Sequence, residues 1–197
     1  MTNKLLAKEI FNKPVFKEGI FYNNYISHKM ASFKEFWKWR KESTKPEPIS
    51  FPLVKNDPRF LQQNRTQKTL TWIGHASFLL QIDGINILTD PHLTKRASPV
   101  IFAGPSRTTP PGLSIEDLPA IDIIVISHNH YDHLDYQTIL QITRKQKNNQ
   151  PLILVPLKLK RLLQSFGAKN VKELEWWDNS NFKNLTIHSV PVQHWSN

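Results

Sequence analysis

Six consecutive residues, His128-Asn129-His130-Tyr131-Asp132-His133, limit what this chain can fold into more than any other feature. They follow directly on IDIIVIS (residues 121–127), an apolar, β-branched run of the kind found in strands buried on both faces. A strand that ends in three imidazoles and a carboxylate has few uses. Imidazole nitrogens and carboxylate oxygens bind zinc when they converge to about 2.0–2.2 Å from one ion. His128 and His130 lie two apart in an extended segment leaving a strand, so they point the same way and share one ion. Asp132 and His133 fall where the chain turns into the next helix, and face a second ion about 3.5–4 Å from the first. The alternative, a polar loop with incidental histidines, suits a lone HxH but not four ligands in six residues. The chain has no cysteine, so thiolate ligands and disulfides are excluded and the metal depends on His and carboxylate donors.

The surroundings fit a folded domain. At 197 residues, 39% hydrophobic and 21% charged, the chain is long enough to bury a core and too apolar to stay disordered. No apolar run approaches the roughly 18 residues of a spanning helix, and the first residues are broken by Lys, Glu, Asn and Pro. The expected location is therefore the cytoplasm or a membrane surface, with neither a signal peptide nor a spanning segment. The net charge is +10, and residues 1–68 carry 14 of the 26 basic side chains but only 6 of the 16 acidic ones. Positive charge concentrated away from the histidine cluster argues against a nucleic-acid substrate. Residues 1–68, interrupted by Pro46, Pro48, Pro52 and Pro58, read as a basic N-terminal arm, and residues 69–197 as the domain.

Within the arm, Ser32 is a candidate N-cap for a helix whose Phe33, Phe36, Trp37 and Arg40 recur at helical steps. That helix either lies on anionic lipid or packs on the protein's own core. From Leu70 the pattern becomes α/β. LTWIGHASFLLQIDGINILTDP gives two or three strands with a tight turn at Asp83-Gly84. Pro99 to Pro111 form a loop, LDYQTILQITRK a helix, LILVP a strand and LKLKRLLQSFG a helix ending near Gly167. VKELEW and LTIHSVPVQHW each read as a strand.

The HxHxDH spacing after IDIIVISH resembles the signature of the metallo-β-lactamase superfamily, whose fold is a four-layer αββα sandwich with metals at one edge of the sheets. WIGHAS (residues 72–77), ILTDP ending at Pro91 and PVQHW (residues 191–195) are similar to the branch containing N-acyl-phosphatidylethanolamine phospholipase D, and the resemblance covers about residues 50–197. It implies that His128, His130 and His194 hold the first zinc and that Asp132 and His133 hold the second. It also implies that Asp90 orients a ligand histidine from outside, and that His75 lies near the site without an assigned role. His92 and His188 carry no motif and are expected to be structural. The implied activity is two-zinc hydrolysis of a phospholipid phosphodiester, with Asp132 holding the attacking hydroxide. Lactonase or nuclease chemistry on another small-molecule or polymeric substrate is the alternative within the superfamily. The family pattern continues with an Asp and a final His not found before Asn197. The chain is therefore expected to be the N-terminal half of the sandwich: completed by a C-terminal half or a dimer partner, or else a catalytically impaired fragment.

Overall fold

The computed structural model describes residues 12–24, 32–44, 47, 49, 52, 54–192 and 194. They fall into two compact units, one formed by residues 1–49 with 175–193 and the other by residues 50–174 with 194–197. Among the described residues no helix is long and apolar enough to cross a membrane.

The second unit is built on a six-stranded mixed sheet. Its strands are β3 (Thr69–Gly74), β4 (Ser77–Ile82), β5 (Ile85–Thr89), β6 (Ile123–Val125), β7 (Leu152–Pro156) and β8 (Val171–Leu174), in that spatial order. The first three pair antiparallel and the last three join in parallel, each next to its neighbour in sequence. The β4–β5 hairpin forms because Asp83 and Gly84 both adopt positive φ, 51° and 73°, as its two-residue turn requires. Leu79, Leu88, Ile124, Ile153 and Val171 are successive register partners across the sheet, and all five are buried in one apolar cluster. Helix α3 (Tyr136–Lys145) adds Ile139 and Ile142 to that cluster and helix α4 (Lys160–Ser165) adds Leu163, so both cover the same face. On the opposite face Ile85, Ile87, Ile123 and Leu154 are buried, but Leu70 and Trp72 at the β3 edge are 67% and 46% exposed. The outcome is a mixed α/β fold with a central mixed sheet. Helix α2 (Pro58–Gln63), capped by Asp57, precedes β3 and was not evident in a segment read as irregular.

The first unit contains the hairpin of β1 (Val15–Lys17) with β2 (Ile20–Tyr22), helix α1 (Phe33–Glu42), and the hairpin of β9 (Asn179–Phe182) with β10 (Leu185–His188). The Ser32 side chain caps α1 and Glu35 reciprocates, as the serine and its spacing to the glutamate predict. Lys13 ties the amino-terminal part of this unit to Asp178 and Glu175. Two readings are corrected here. LTIHSVPVQHW is not one strand, because β10 stops at His188 and Ser189 instead exchanges backbone bonds with Trp177 and Asp178. Its partner β9, NSNF, has Phe182 as its one strong strand former and is paired through the tight turn at Lys183-Asn184. His194 consequently lies beyond a loop rather than at a strand end.

Candidate metal centre

Parallel strands leave their C-terminal ends at one edge of a sheet, and the loops there are the usual place for a site. Here β5 ends at Thr89 and β6 at Val125, side by side, so Asp90 and the Ser127-His128 segment emerge together. The backbone N–H of Ser127 donates to Asp90 Oδ1 at 2.7 Å and the Ser127 hydroxyl to Asp90 Oδ2 at 2.6 Å. Beyond them the chain folds back sharply. His133 N and Leu134 N both donate to the His130 carbonyl, which turns Asp132 and His133 back toward the strand ends. Because β4 runs antiparallel to β5, the β3–β4 turn lies at the same edge, with the Ser77 hydroxyl donating to the Asp90 carbonyl at 2.7 Å. That turn carries His75.

Two groups of donor atoms result, each with all ligand atoms within 4.8 Å of one another: His128, His130 and His194, and His75, Asp132 and His133. In the first, His130 Nδ1 lies 2.9 Å from His128 Nε2 and 3.3 Å from His194 Nε2. Ligands about 2.0–2.1 Å from a tetrahedral ion stand roughly 3.3 Å apart, so this triad is close to the spacing an ion imposes. In the second, His75 Nε2 lies 2.8 Å from Asp132 Oδ2, and His133 Nε2 lies 3.7 Å from the same oxygen. The groups adjoin, with the His128 and His133 ring centroids 4.1 Å apart.

Asp90 sets the proton positions. A carboxylate only accepts, so the 2.8 Å contact between His133 Nδ1 and Asp90 Oδ2 puts a proton on Nδ1 and leaves Nε2 as the lone-pair atom facing Asp132. The Ser127 hydroxyl, already donating to Asp90, accepts at 2.9 Å from His128 Nδ1, which frees His128 Nε2 in the same way. One carboxylate therefore prepares a histidine in each group. Ser127 was not singled out from sequence, although its place between a strand end and the first histidine was a usable signal.

Burial lowers the His128 imidazole to about 4, helped by the charges of His133, His130 and His194 and opposed by Asp90. His130 is lowered for the same leading reason, with His194 adding to it. Burial pushes Asp132 up, but its backbone hydrogen bond and the neighbouring His133 and His75 outweigh that and hold it below the usual carboxylate value. At neutral pH His128 and His130 are thus neutral and Asp132 ionised, the forms that bind metal. His92 joins neither group. It is buried, its carbonyl accepts from Arg107, and burial followed by the Arg107 charge lowers its pKa. His188 sits in β10, also outside both groups.

These shifts fix the sign of a pH effect on the metal-free chain. Between about 4 and the ordinary value of 6.5, position 128 binds a proton when unfolded but not when folded, so acid favours unfolding; His92 acts in the same direction. Stability should be complete above 6.5 and fall steadily toward pH 4. Urea midpoints of the metal-free chain are expected to drop between pH 7.5 and pH 5, and to drop less in His128→Gln.

A mixed sheet with imidazole and carboxylate donors gathered at the ends of its parallel strands defines a metal-binding α/β domain. The chain belongs to the β-lactamase superfamily: residues 85–197 match the family described as the beta-lactamase superfamily domain. It is 32% identical over 190 residues to an uncharacterised protein of Mycobacterium bovis, a match covering 93% of this chain and 50% of that one. It is 42% identical over 133 residues to N-acyl-phosphatidylethanolamine-hydrolyzing phospholipase D 1 of Caenorhabditis elegans, covering 63% of this chain and 37% of the relative. The chain thus spans about half the length, or less, of these relatives. Among solved structures it is similar to CmlA, a diiron β-hydroxylase from Streptomyces venezuelae, with a TM-score of 0.48 and 26% identity over 64% of this chain and 24% of that one.

Proposed function

We propose that this chain carries the metal centre of a zinc-dependent hydrolase that cleaves the phosphodiester of an N-acyl-phosphatidylethanolamine. The observation that carries the reading is the pair of adjoining donor groups on one sheet edge, each with three ligand atoms within 4.8 Å of one another. Imidazoles with a single carboxylate, and no thiolate in the chain, suit zinc. The lipid substrate is supported by relatives: besides the nematode protein, the chain is 35% identical over 130 residues to the yeast mitochondrial N-acyl-phosphatidylethanolamine-hydrolyzing phospholipase D, covering 64% of this chain and 27% of that one.

In this reading His128, His130 and His194 hold one ion, while Asp132 and His133 hold the other. Bound there, zinc supplies Lewis-acid polarisation of the phosphoryl group and lowers the pKa of water. The chain's own residues do the positioning. Asp132, in the second group, accepts a hydrogen bond from the attacking water and aims it, while Asp90 keeps the ligand nitrogens of His133 and His128 free of protons. The test is release of phosphatidic acid from N-acyl-phosphatidylethanolamine in mixed micelles, with zinc and with a chelator. Zinc-dependent release is expected. Faster turnover of a lactone or of DNA than of the lipid would overturn the substrate assignment.

A lipid substrate has to be reached, and α1 supplies a basic, aromatic surface for it. No side chain of α1 is buried; Phe33, Phe36, Trp37 and Trp39 are exposed, interleaved with Lys34, Lys38, Arg40 and Lys41. Each basic residue near an anionic surface is worth about 1 kcal/mol, so replacing Lys34 and Lys38 by Glu should weaken binding to phosphatidylserine vesicles by more than about tenfold. Co-sedimentation at low and high salt measures it; unchanged binding would remove α1 from the membrane contact.

A further inference from the structure

Between Asp90 and Glu116 the chain carries three basic side chains, Lys95, Arg96 and Arg107, and no acidic one. Residues 95–107 double back on themselves. The Ala97 N–H donates to the Pro105 carbonyl and the Arg107 N–H to the Lys95 carbonyl, both at 3.0 Å, and Arg96 and Ser106 form an antiparallel bridge. Nearer the tip, Arg96 Nη1 donates to the Gly104 carbonyl at 2.6 Å. Gly104 has φ 95°, and a Cβ there would stand 2.7 Å from Ser98 Cβ, so only glycine closes the tip in this shape. The tip presents Ile101 and Phe102, each 80% exposed, beside Val100.

The base of this loop is fixed to the edge of the sheet that carries the metal centre. Arg107 Nε donates to the Thr94 carbonyl at 3.0 Å and Nη2 to the His92 carbonyl. The Thr94 N–H donates to Asp135 Oδ2 and the Leu93 N–H to Thr138 Oγ1, both at 3.1 Å. Asp135 caps α3 directly after the His133-Leu134 step. Two large apolar side chains held out in water add nothing to the core, and such a tip marks a surface that meets something apolar. The charges indicate what it meets. An apolar tip above cationic side chains, with no acidic residue among them, matches a bilayer whose acyl chains lie beneath its phosphates.

Resting on the lipid reading above, we propose that residues 95–107 form a membrane wedge. Ile101 and Phe102 enter the acyl layer, Lys95 and Arg96 stand at the level of the lipid phosphates, and the clamped base holds the metal edge against the bilayer. This contact belongs to the sheet-bearing unit and does not depend on α1.

The chain contains no cysteine, so one can be placed at a chosen position and labelled with an environment-sensitive fluorophore. Ala103→Cys, beside the tip, is compared with Asn148→Cys, an exposed position in the loop that leads into the other end of β7. Each labelled full chain is mixed with vesicles of phosphatidylcholine and phosphatidylserine, with and without nitroxide on the acyl chains. The label at 103 should shift to the blue and be quenched by the nitroxide, and the label at 148 should do neither. Replacing Ile101 and Phe102 by Ser should weaken co-sedimentation with the vesicles by about tenfold or more, with zinc uptake and circular dichroism unchanged. A label at 103 that stays in water on the vesicle-bound chain overturns the wedge, as does a chain that binds no vesicles. Shielding of that label without lipid, growing with chain concentration, overturns it in favour of a second copy covering the tip. Insertion without release of phosphatidic acid supports the wedge and overturns the substrate assignment; release with the label still in water does the reverse.

Discussion

Replacing His130 with alanine should strip the first ion from this protein and with it most of the hydrolytic rate. His130 Nδ1 lies 2.9 Å from His128 Nε2 and 3.3 Å from His194 Nε2, so its removal leaves the ion two imidazoles, whose ring centroids are 4.6 Å apart, in place of three. Removing a group that merely orients a ligand costs about 10- to 100-fold in affinity, and removing the ligand itself should cost more. Losing a preorganised charge-stabilising contact lowers rate by about 10²–10³. Bound zinc per chain should therefore fall by one, while His188→Ala, on a strand outside both groups, leaves it unchanged. An undiminished zinc count in His130→Ala would contradict the arrangement.

The second large effect is expected from a residue that touches no metal. Asp90→Ala removes the acceptor that fixes His133 directly and His128 through the Ser127 hydroxyl, so it should weaken both ions together, each by about 10- to 100-fold. It should also destabilise the fold. The Ser127 N–H loses its acceptor, and a part-buried donor left unpaired costs about 1–3 kcal/mol. Asp90→Asn retains an acceptor oxygen and a similar shape, so it should recover stability more than metal affinity. Zinc competition assays and urea denaturation on the two variants separate these effects. Loss of one ion only would show that the Ser127 relay does not act on His128.

How much of this was legible in the sequence depends on how local each determinant is. The HxHxDH cluster is contiguous and the strand before it is marked by its apolar run, so its placement at a strand end followed from short-range rules. The Asp83-Gly84 hairpin and the Ser32 cap with Glu35 were readable for the same reason: the residues that decide them lie within a turn of each other. The order of the six strands was not, because it depends on which apolar faces meet. That order explains why His75 had a place near the site but no role: it reaches Asp132 only because β4 runs back along β5. The β9–β10 hairpin and α2 were missed because NSNF and PRFLQQ lack the apolar periodicity that announces an element. The long strand read into LTIHSVPVQHW followed apolar alternation past Ser189 and Pro191, where the backbone pairing had already been redirected to Trp177 and Asp178.

Crystals of the zinc-loaded chain, with diffraction recorded on both sides of the zinc absorption edge, locate each ion without reference to any assumed ligand. One anomalous peak is expected about 2.0–2.2 Å from His128 Nε2, His130 Nδ1 and His194 Nε2, and a second against Asp132 and His133. Peaks held by other side chains, or none at the end of β6, would contradict this arrangement.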